Sequence, residues 1–418
     1  MRIVVVGGGV AGLVAAEILG HEHDVVLLEA GDRVGGHAHT LDLEVEGRRL
    51  AVDAGFVVFN QPNYPLFQRL LEHLRVAARP SDMSFSVRHD GAGLEYAARA
   101  QGLYPALFAQ PSNLVRPRFW RMLRDLRRLW REAPGWLEEA GADLDLAERL
   151  RRDGYGPELA QWHLYPMVAA LWSAPHERVL GFPSRTLAAF FHNHAFFQRQ
   201  RPTWCTVEGG SRAYVEALAA RIQGRVQCHA RVVRVERMPA EVRVRLHDGS
   251  TLEADHVVLA LHPDRALEVL AEPSAAEREA LGALQYQDND IVVHTDTSVL
   301  PRRRRAWASW NASVPATPGG PATVTYLANS LHAFAGPPWV MVSLNLAQAI
   351  DPARVLRRMT WRHPQATHAA VAARARHGEL DGRNRTSYVG AGWGYGFHED
   401  GVRSAVEACA RLGATPTW

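Results

Sequence analysis

Three glycines near the start of the chain are spaced as G-x-G-x-x-G, between an apolar run at residues 2–6 and a helical pattern at residues 13–19. The first glycine permits a tight turn, the second lets the backbone approach a phosphate group, and the third lets helix and strand pack closely. The helix start carries a partial positive charge that attracts phosphate. The spacing therefore predicts a pyrophosphate site. Its residues are Gly7, Gly9, Val10, Ala11 and Gly12.

An acidic residue ends the second predicted strand of this unit. Residues 25–28 are apolar and are followed by Glu29. A carboxylate at this place accepts hydrogen bonds from ribose hydroxyls, and it would repel a 2′-phosphate. Strand, glycine turn, helix, strand and acid in this order are typical of a Rossmann-type dinucleotide-binding unit. The alternative, a glycine-rich turn without a ligand, would not require the rest of that order.

The segment that follows the acid distinguishes FAD from NAD. Residues 30–37, A-G-D-R-V-G-G-H, resemble the signature E-A-x-x-R-x-G-G of the flavoprotein amine oxidase and phytoene desaturase superfamily. The resemblance implies that an arginine and two glycine amides hold the FAD pyrophosphate, and that residues 52–56 run under the flavin ring. FAD is therefore the expected cofactor. The residues assigned from these segments are Glu29, Ala30, Arg33, Gly35, Gly36, His37, Ala54, Gly55 and Phe56.

Two later segments resemble the same superfamily. Residues 207–211, V-E-G-G-S, resemble the glycine pair before the second FAD-binding segment. Three alternating strands are predicted at 231–235, 242–246 and 251–261, with Asp248-Gly249 as a hairpin turn. In the superfamily the first strand of such a meander touches adenine through its backbone. The residues at that place are Val232 and Val233.

The last segment, residues 388–401, resembles the closing motif of the superfamily. There a glycine-rich loop reaches the ribityl chain, and the start of a helix points at the flavin O2 atom. Reduced flavin carries negative charge near this atom, and a helix start stabilises negative charge. The residues that the resemblance places at the cofactor are Gly390, Glu399, Asp400 and Gly401.

Three polar residues are candidates for chemistry at the flavin. The alignment puts His398 where many relatives carry an aromatic ring beside the flavin. An imidazole there can accept the substrate proton, because its ordinary pKa lies near neutral pH; alternatively it only packs on the ring. Asn60 and Tyr64 follow the flavin segment closely and are the other polar groups expected in the cavity.

These motifs predict an α/β fold with a discontinuous Rossmann-type FAD-binding domain and a mixed α+β substrate domain. The FAD-binding domain is predicted from residues 1–80, 201–269 and 381–418, and the substrate domain from 81–200 and 270–380. We expect the first substrate segment to be mostly helical. The second should combine strands at 290–295, 322–327 and 339–346 with a helical piece near 352–359.

The single dinucleotide fingerprint indicates that the substrate, rather than NADPH, reduces the flavin. Strings at 165–167, 171–173, 294–296 and 308–311 resemble a bacterial group of predicted NAD/FAD-binding proteins that often accompany cyclopropane-fatty-acid-synthase-like methyltransferases. This resemblance implies a lipid or other apolar substrate. It favours dehydrogenation, that is desaturation, of a fatty-acyl or methylated lipid chain by hydride transfer to flavin N5. The alternatives are a flavin-dependent double-bond isomerase, an amine oxidase, and a non-catalytic FAD-binding partner of a methyltransferase.

One predicted helix bears on the surroundings of the protein. Between residues 116 and 131, apolar residues fall on one face, and seven arginines with one aspartate occupy the rest. A basic amphipathic helix with tryptophans suits peripheral contact with an anionic membrane. The equally weighted alternative is a helix packed on the core with a solvated charged face. No membrane-spanning run or leader pattern is seen, so we expect a cytoplasmic protein, peripheral to the inner face of the membrane if the helix binds lipid.

Composition excludes several other functions. The 418 residues are 47% hydrophobic, and all 47 basic residues are arginine. Without lysine, P-loop and Schiff-base mechanisms are excluded, and an amine oxidase that uses a lysine near the flavin is disfavoured. The three cysteines and the pair His192 and His194 lack metal-ligand spacing, so no metal is expected. A formal charge of +3 and the lack of a nucleic-acid motif argue against nucleic-acid binding.

Overall fold

The computed structural model describes residues 1–98, 106–172, 176–194, 202–222, 224–317 and 323–418. The helices of these ranges are α1 (Val10–Leu19), α2 (Pro65–Leu74), α3 (Pro117–Trp136), α4 (Leu146–Arg152), α5 (Pro157–Leu159), α6 (Tyr165–Trp172), α7 (His176–Leu180), α8 (Ser184–Asn193), α9 (Arg212–Arg221), α10 (Pro263–Val269), α11 (Ala275–Ala283), α12 (Ala328–Leu331), α13 (His368–Ala375), α14 (His377–Leu380) and α15 (His398–Arg411). Across these ranges, no helix combines the length and the apolar character needed to cross a bilayer.

The strands form five sheets. In chain order they are β1 (Arg2–Val6), β2 (Asp24–Leu28), β3 (Thr40–Val45), β4 (Arg48–Asp53), β5 (Phe59–Asn60), β6 (Ala78–Pro80), β7 (Phe85–His89), β8 (Leu94–Ala98), β9 (Trp204–Val207), β10 (Val226–Gln227), β11 (Val232–Arg237), β12 (Val242–Leu246), β13 (Thr251–Ala254), β14 (His256–Leu259), β15 (Tyr286–His294), β16 (Trp310–Val314), β17 (Thr323–Leu327), β18 (Met341–Leu344), β19 (Val355–Pro364) and β20 (Thr386–Tyr388).

The glycine motif follows the central strand of a five-stranded parallel sheet with the order β10-β2-β1-β14-β20. Its inner strands are continuous apolar runs because both faces of the sheet are covered. Helices α1, α9 and α15 pack on one face. The meander of β11, β12 and β13 and helices α10, α11 and α13 pack on the other. The strands come from separated parts of the chain, so the Rossmann-type unit is discontinuous.

A seven-stranded mixed sheet forms the second domain, with the order β19-β15-β18-β17-β16-β7-β8. Its neighbours are antiparallel except β16 and β7, which run parallel. Helices α3 to α8 share one apolar cluster beside this sheet. The predicted class, a Rossmann-type FAD-binding fold with a mixed α+β substrate domain, is confirmed.

Two local expectations were wrong, and one was correct except at its start. Residues 352–359 form a short 3₁₀ turn, Pro352–Arg354, and then β19, because the segment pairs with β15 along its whole length. The segment 251–261 divides at Asp255 into two strands, and β14 joins the parallel sheet. The described residues of the segment 81–200 are mostly helical, as predicted, although the segment begins with the hairpin of β7 and β8.

The strands of the two large sheets come from different predicted domain segments, whereas several helices do not follow this division. Every strand of the five-stranded sheet lies within 1–80, 201–269 or 381–418. Helices α11 and α13 come from the predicted substrate segment 270–380, yet they pack in the apolar cluster of the parallel sheet. Part of that segment therefore supports the nucleotide-binding half.

Helix α3 covers the predicted amphipathic segment, and its apolar face points into the protein. Phe119, Met122, Leu126 and Leu129 are buried, and they belong to two apolar clusters of the second domain. This face is therefore covered by the chain itself and is not open to lipid.

Candidate functional site

A cavity of about 480 Å³ lies between the carboxyl ends of the parallel strands and the mixed sheet. In open α/β folds, ligands bind at this edge of the sheet. The part of the wall next to the parallel sheet is mostly backbone and small side chains. Its residues are Gly7, Gly8, Gly9, Val10, Ala11, Glu29, Gly35, Gly36, His37, Ala54, Gly55, Phe56, Ala260, Gly390 and His398.

Each of the three motif glycines meets a different structural requirement. Gly7 has a φ of +105°, and a Cβ on Gly7 would overlap the Ala260 carbonyl. A Cβ on Gly12 would overlap the Gly7 carbonyl, so Gly12 permits the close approach of α1 to the turn. A Cβ on Gly9 would meet no atom within 4 Å, because Gly9 faces the open cavity. No side chain among the described residues caps α1, which leaves its first amides free for an anion.

Glu29 borders the cavity and is held by two turns. Its carboxylate accepts hydrogen bonds from the amides of Gly8 and Gly31, both at 2.7 Å. A carboxylate has about four lone-pair directions, so two remain for the hydroxyls of a ribose. The next predicted residue, Ala30, does not border the cavity.

Arg33 stabilises the loop of the glycine pair, Gly35 and Gly36, from outside the cavity wall. Its guanidinium donates to the carbonyls of Val34, Gly36 and Ala38 at 3.1–3.3 Å, and it does not border the cavity. Burial lowers the pKa of Arg33. The backbone of the glycine pair faces the cavity, whereas the arginine side chain stabilises the loop that presents it.

The carboxylates of the closing motif are engaged within the protein. Glu399 accepts from the Leu66 and Phe67 amides at 3.1 and 2.9 Å and so caps α2. Asp400 accepts from two amides that precede α15, at 2.9 and 3.0 Å, and pairs with Arg403. Neither side chain borders the cavity. Burial raises the pKa of both carboxyl groups.

Gly401 and Gly12 also lie outside the cavity wall; Gly401 lies at the contact between α15 and α1, and Gly12 lies against the turn after β1. A Cβ on Gly401 would lie 3.1 Å from Val10 Cγ1. Gly401 permits the two helices to pack closely, and Gly390 alone of the predicted closing residues other than His398 borders the cavity.

Three further predicted site residues lie away from the cavity wall. The Asn60 side chain is fully buried on β5, and its Oδ1 accepts from the Asn63 amide at 3.0 Å, so it does not reach the cavity. Val232 packs under the parallel sheet, and Val233 is exposed. Neither valine borders the cavity, because β11 lies in the covering meander rather than at the edge of the sheet.

His398 and Tyr64 do reach the cavity. The His398 ring stacks on Phe56 with centroids 3.6 Å apart, and its Nε2 shares a 2.7 Å hydrogen bond with the Tyr214 hydroxyl. Burial lowers the pKa of His398 to about 3. The imidazole is therefore neutral at pH 7, and it is a weak proton acceptor. Burial also raises the pKa of Tyr64, so this phenol stays protonated.

The opposite part of the cavity wall is aromatic, and most of it was missed from the sequence. It is formed by Trp172, Phe190, His194, Trp204, Tyr286, Trp310, Tyr326, Trp361, Tyr395 and Phe397. Trp172 and Trp310 belong to strings noted in the sequence, although Ser173 beside the first lies outside the described residues. Tyr395 and Phe397 lie in the closing motif. The other positions carry no local signal of a ligand site.

Two asparagines orient one imidazole at the cavity. The Asp290 amide donates to Asn345 Oδ1 at 2.9 Å, and Asn345 Nδ2 donates to Asn289 Oδ1 at 2.7 Å. Asn289 Nδ2 then lies 2.9 Å from His363 Nδ1. A backbone amide can only donate, so the hydrogen bond from Asp290 fixes which end of the Asn345 amide group is oxygen, and Asn345 fixes the Asn289 amide group in turn. His363 Nδ1 must therefore accept the hydrogen bond from Asn289 Nδ2. Neutral His363 therefore carries its proton on Nε2.

Three imidazoles approach each other at this point of the wall. The ring centroids of His262 and His363 lie 5.8 and 5.7 Å from that of His37. Burial, with mutual repulsion as a smaller cause, lowers the pKa of His262 and His363 to about 3, and burial lowers that of His37 to about 4. No metal-ligand group of histidines, cysteines and carboxylates is found within the described residues.

Among the described residues, four charged side chains line the cavity wall, and each has a protein partner. The pairs are Glu29 with the amides of Gly8 and Gly31, Asp53 with Thr40 and Ser211, Arg265 with Glu268, and Arg362 with Asp264 and Asp288. Burial raises the pKa of Asp53 to about 6. An ionic substrate would therefore compete with existing partners at most of these groups, whereas Asp53 Oδ2 and Arg362 Nη1 have no hydrogen-bond partner in the described residues.

A Rossmann-type dinucleotide-binding site next to an aromatic cavity and a mixed sheet is typical of one class of flavoproteins. The family model for flavin-containing amine oxidoreductases matches residues 10–330, and the chain belongs to this family. The similar curated proteins include a flavin-dependent L-tryptophan oxidase from Lentzea aerocolonigenes, 28% identical over 62% of this chain, and human flavin-containing amine oxidase B, 25% identical over 65%. The chain spans 57% and 52% of the length of these two relatives.

Solved structures with the same fold cover nearly the whole chain. A fatty acid isomerase from P. acnes that produces CLA has a TM-score of 0.67 at 17% identity, with 98% of each chain covered. Cyclohexylamine oxidase from Brevibacterium oxydans has a TM-score of 0.68 at 16% identity, also with 98% of each chain covered. At these identities the likeness shows the fold.

FAD is the cofactor of this family, and the residues present fit it. The open turn at Gly9 and the uncapped start of α1 suit a pyrophosphate, and the Glu29 carboxylate suits a ribose. His37 Nε2 is buried at the cavity without a hydrogen-bond partner in the described residues. A bound ligand would satisfy this nitrogen.

Proposed function

We propose that the chain is an FAD-dependent oxidoreductase that dehydrogenates an apolar substrate, a fatty-acyl or methylated lipid chain. The observation that carries the proposal is the aromatic wall opposite the FAD cradle. Its rings offer a large apolar surface to a hydrocarbon chain. The family supports the redox class, and the lipid part rests on the chemistry of the wall.

When bound, FAD would supply a hydride acceptor. The aromatic residues surround the reacting segment with an apolar surface, and the charged side chains of the wall already have protein partners, although Asp53 Oδ2 and Arg362 Nη1 lack a hydrogen-bond partner among the described residues. Amino acids bring a carboxylate and an ammonium, both costly to bury without partners. The cavity therefore favours an uncharged reacting segment.

The imidazoles at the wall act as neutral groups. His398 is a weak base, because its pKa is lowered to about 3 and its Nε2 is bonded to Tyr214. His363 offers its Nε2 proton as a hydrogen-bond donor, since Asn289 occupies Nδ1. These groups orient and hold ligands, and solvent at the cavity mouth takes the substrate proton.

The test is anaerobic mixing of the FAD-loaded protein with palmitoyl- and oleoyl-phosphatidylglycerol. We expect stoichiometric loss of the oxidised-flavin absorbance and a new double bond in the acyl chain by mass spectrometry. A product with a moved double bond and no lasting loss of absorbance would identify an isomerase instead. Reduction by cyclohexylamine or tryptophan but by neither lipid would identify an amine or amino-acid oxidase. Reduction by none of them would leave a non-catalytic flavoprotein.

A further inference from the structure

Exposed apolar side chains gather at the start of helix α3. Leu114, Val115 and Trp120 are 52%, 83% and 48% exposed. Leu114 and Val115 end the short turn before the helix, and the Trp120 indole donates to the Leu114 carbonyl at 2.8 Å. This hydrogen bond holds the tryptophan beside the turn, so the three side chains form one surface. Contiguous exposed apolar surface often marks an interaction site.

The outer face of α3 continues this surface with arginines. Trp120, Arg124, Arg127 and Arg131 recur every three or four residues, which places them along one side of a helix. The side chains of Arg124 and Arg131 are 74% and 76% exposed. The α3 patch, as we name it, consists of Leu114, Val115, Trp120, Arg124, Arg127 and Arg131.

The charge of this region is strongly positive. Residues 116–131 contain seven arginines. The carboxylates that pair with them in the described residues are Asp125, Glu132 and Glu158. Seven positive against three negative charges leave an excess of four. Asp125 and Glu158 are buried, so they approach the guanidinium groups from the protein side and leave the outer side open to an external anion.

We propose that the α3 patch docks on the surface of an anionic lipid bilayer. Tryptophan and arginine combine an apolar body with a polar end and therefore suit the headgroup layer. Guanidinium groups bind lipid phosphate through paired hydrogen bonds, while leucine and valine enter the acyl boundary. A nucleic acid would match the arginines but would leave Leu114 and Val115 exposed. The apolar part of the patch thus favours the bilayer.

The inner side of α3 packs in the same apolar cluster as two residues of the cavity wall. Leu126 and Leu129, on the inner side of α3, share an apolar cluster with Trp172 and Phe190, which line the cavity. Docking would therefore hold the cavity close to the source of an acyl chain. This consequence rests on the proposed function, whereas docking itself does not.

The experiment is cosedimentation of the FAD-loaded full chain with vesicles, followed by flavin absorbance. We expect binding to vesicles of phosphatidylcholine mixed with phosphatidylglycerol, weak binding to phosphatidylcholine alone, and release as salt rises. Charge reversal by R124E, R127E and R131E together should lower the partition coefficient about 100-fold or more. V115S with W120S should lower it about tenfold or more, because these side chains bury apolar area in the bilayer.

The matched control reverses three exposed arginines outside α3, with R278E, R357E and R358E together. This variant changes the net charge equally and should bind almost as well as the parent. Loss of binding by the control equal to that of the α3 variant would overturn the proposal. Absence of binding at low salt, or tighter binding to a DNA duplex at equal phosphate concentration, would also overturn it. None of these readouts needs turnover, so failure here leaves the proposed function standing.

Discussion

The role that the structure indicates for His398 differs from the one that the sequence predicts. In the sequence it is a candidate base beside a flavin. In the structure it is buried, stacked on Phe56 and bonded to Tyr214, and its pKa is lowered to about 3. A base this weak would hold the substrate proton poorly near neutral pH. Its contribution is therefore structural, through the stack and the hydrogen bond.

We predict that His398→Phe lowers flavin reduction by substrate less than about tenfold, well below the loss of about 10²–10⁴-fold expected of a general base. The flat ring keeps the stack on Phe56. The buried Tyr214 hydroxyl loses its partner, which should cost about 1–3 kcal/mol of unfolding free energy. Anaerobic stopped-flow and urea unfolding measure the two effects. Tyr214→Phe in the same chain should restore stability, and a large rate loss with an altered pH profile would reinstate the base.

The second residue-scale prediction concerns the tautomer of His363. Asn289→Asp keeps the shape but replaces the donor to His363 Nδ1 by an acceptor. Nδ1 must then carry a proton, and the adjacent carboxylate should raise the pKa of His363 by about 1–3 units. Nitrogen NMR of labelled histidine would detect the change. Asn289→Leu, which removes the hydrogen bonds to His363 and Asn345 without adding a charge, serves as the control, and an unchanged tautomer in the aspartate variant would refute the hydrogen-bond assignment.

At the scale of elements, the turn between β1 and α1 separates glycines needed for folding from one needed for the ligand. Gly12 allows the helix to pack on the turn, whereas Gly9 faces open space with an ordinary φ of −71°. The same motif thus contains two kinds of constraint, and substitution can tell them apart.

We predict that Gly9→Ala folds with unfolding free energy equal to the parent or up to about 1 kcal/mol higher in the absence of FAD. It should nevertheless lose FAD, because the new methyl enters the space in front of α1. Gly12→Ala should lose about 1–3 kcal/mol, since its methyl overlaps the Gly7 carbonyl. Calorimetry of the apoproteins and FAD titration provide both values. Equal stability of the two variants would contradict this division of roles.

At the scale of the molecule, burial of imidazoles makes stability depend on pH. Six histidines of the cavity wall have a pKa lowered to about 3 or 4 from an ordinary value of 6.5. They are His37, His194, His262, His332, His363 and His398. Below pH 6.5 the unfolded chain binds more protons at these sites than the folded one, so their contribution is present above pH 6.5 and is lost as the pH falls toward 3.

We therefore predict that the unfolding free energy falls by at least about 3 kcal/mol between about pH 7 and about pH 5.5, at up to about 1.4 kcal/mol per histidine and pH unit. Asp53 acts in the opposite direction, because its pKa is raised to about 6 and the folded protein therefore takes up about one proton at this carboxyl group as the pH falls. Urea unfolding in saturating FAD, followed by tryptophan fluorescence, measures the slope. His398→Phe should reduce the slope of unfolding free energy against pH by the contribution of about one proton. Stability that rises on acidification would contradict the prediction.

The sequence alone determined the Rossmann-type cradle, because its requirements are local. A turn, a helix start and a strand-end acid interact within about 30 residues, so the spacing of Gly7, Gly9, Gly12 and Glu29 already states the geometry. Tertiary structure decided what lies opposite. The strand at 355–364 exists because β15 pairs with it, and the register of that pairing brings Asn289 to His363. Such contacts join residues far apart in the chain and depend on packing that no local pattern encodes.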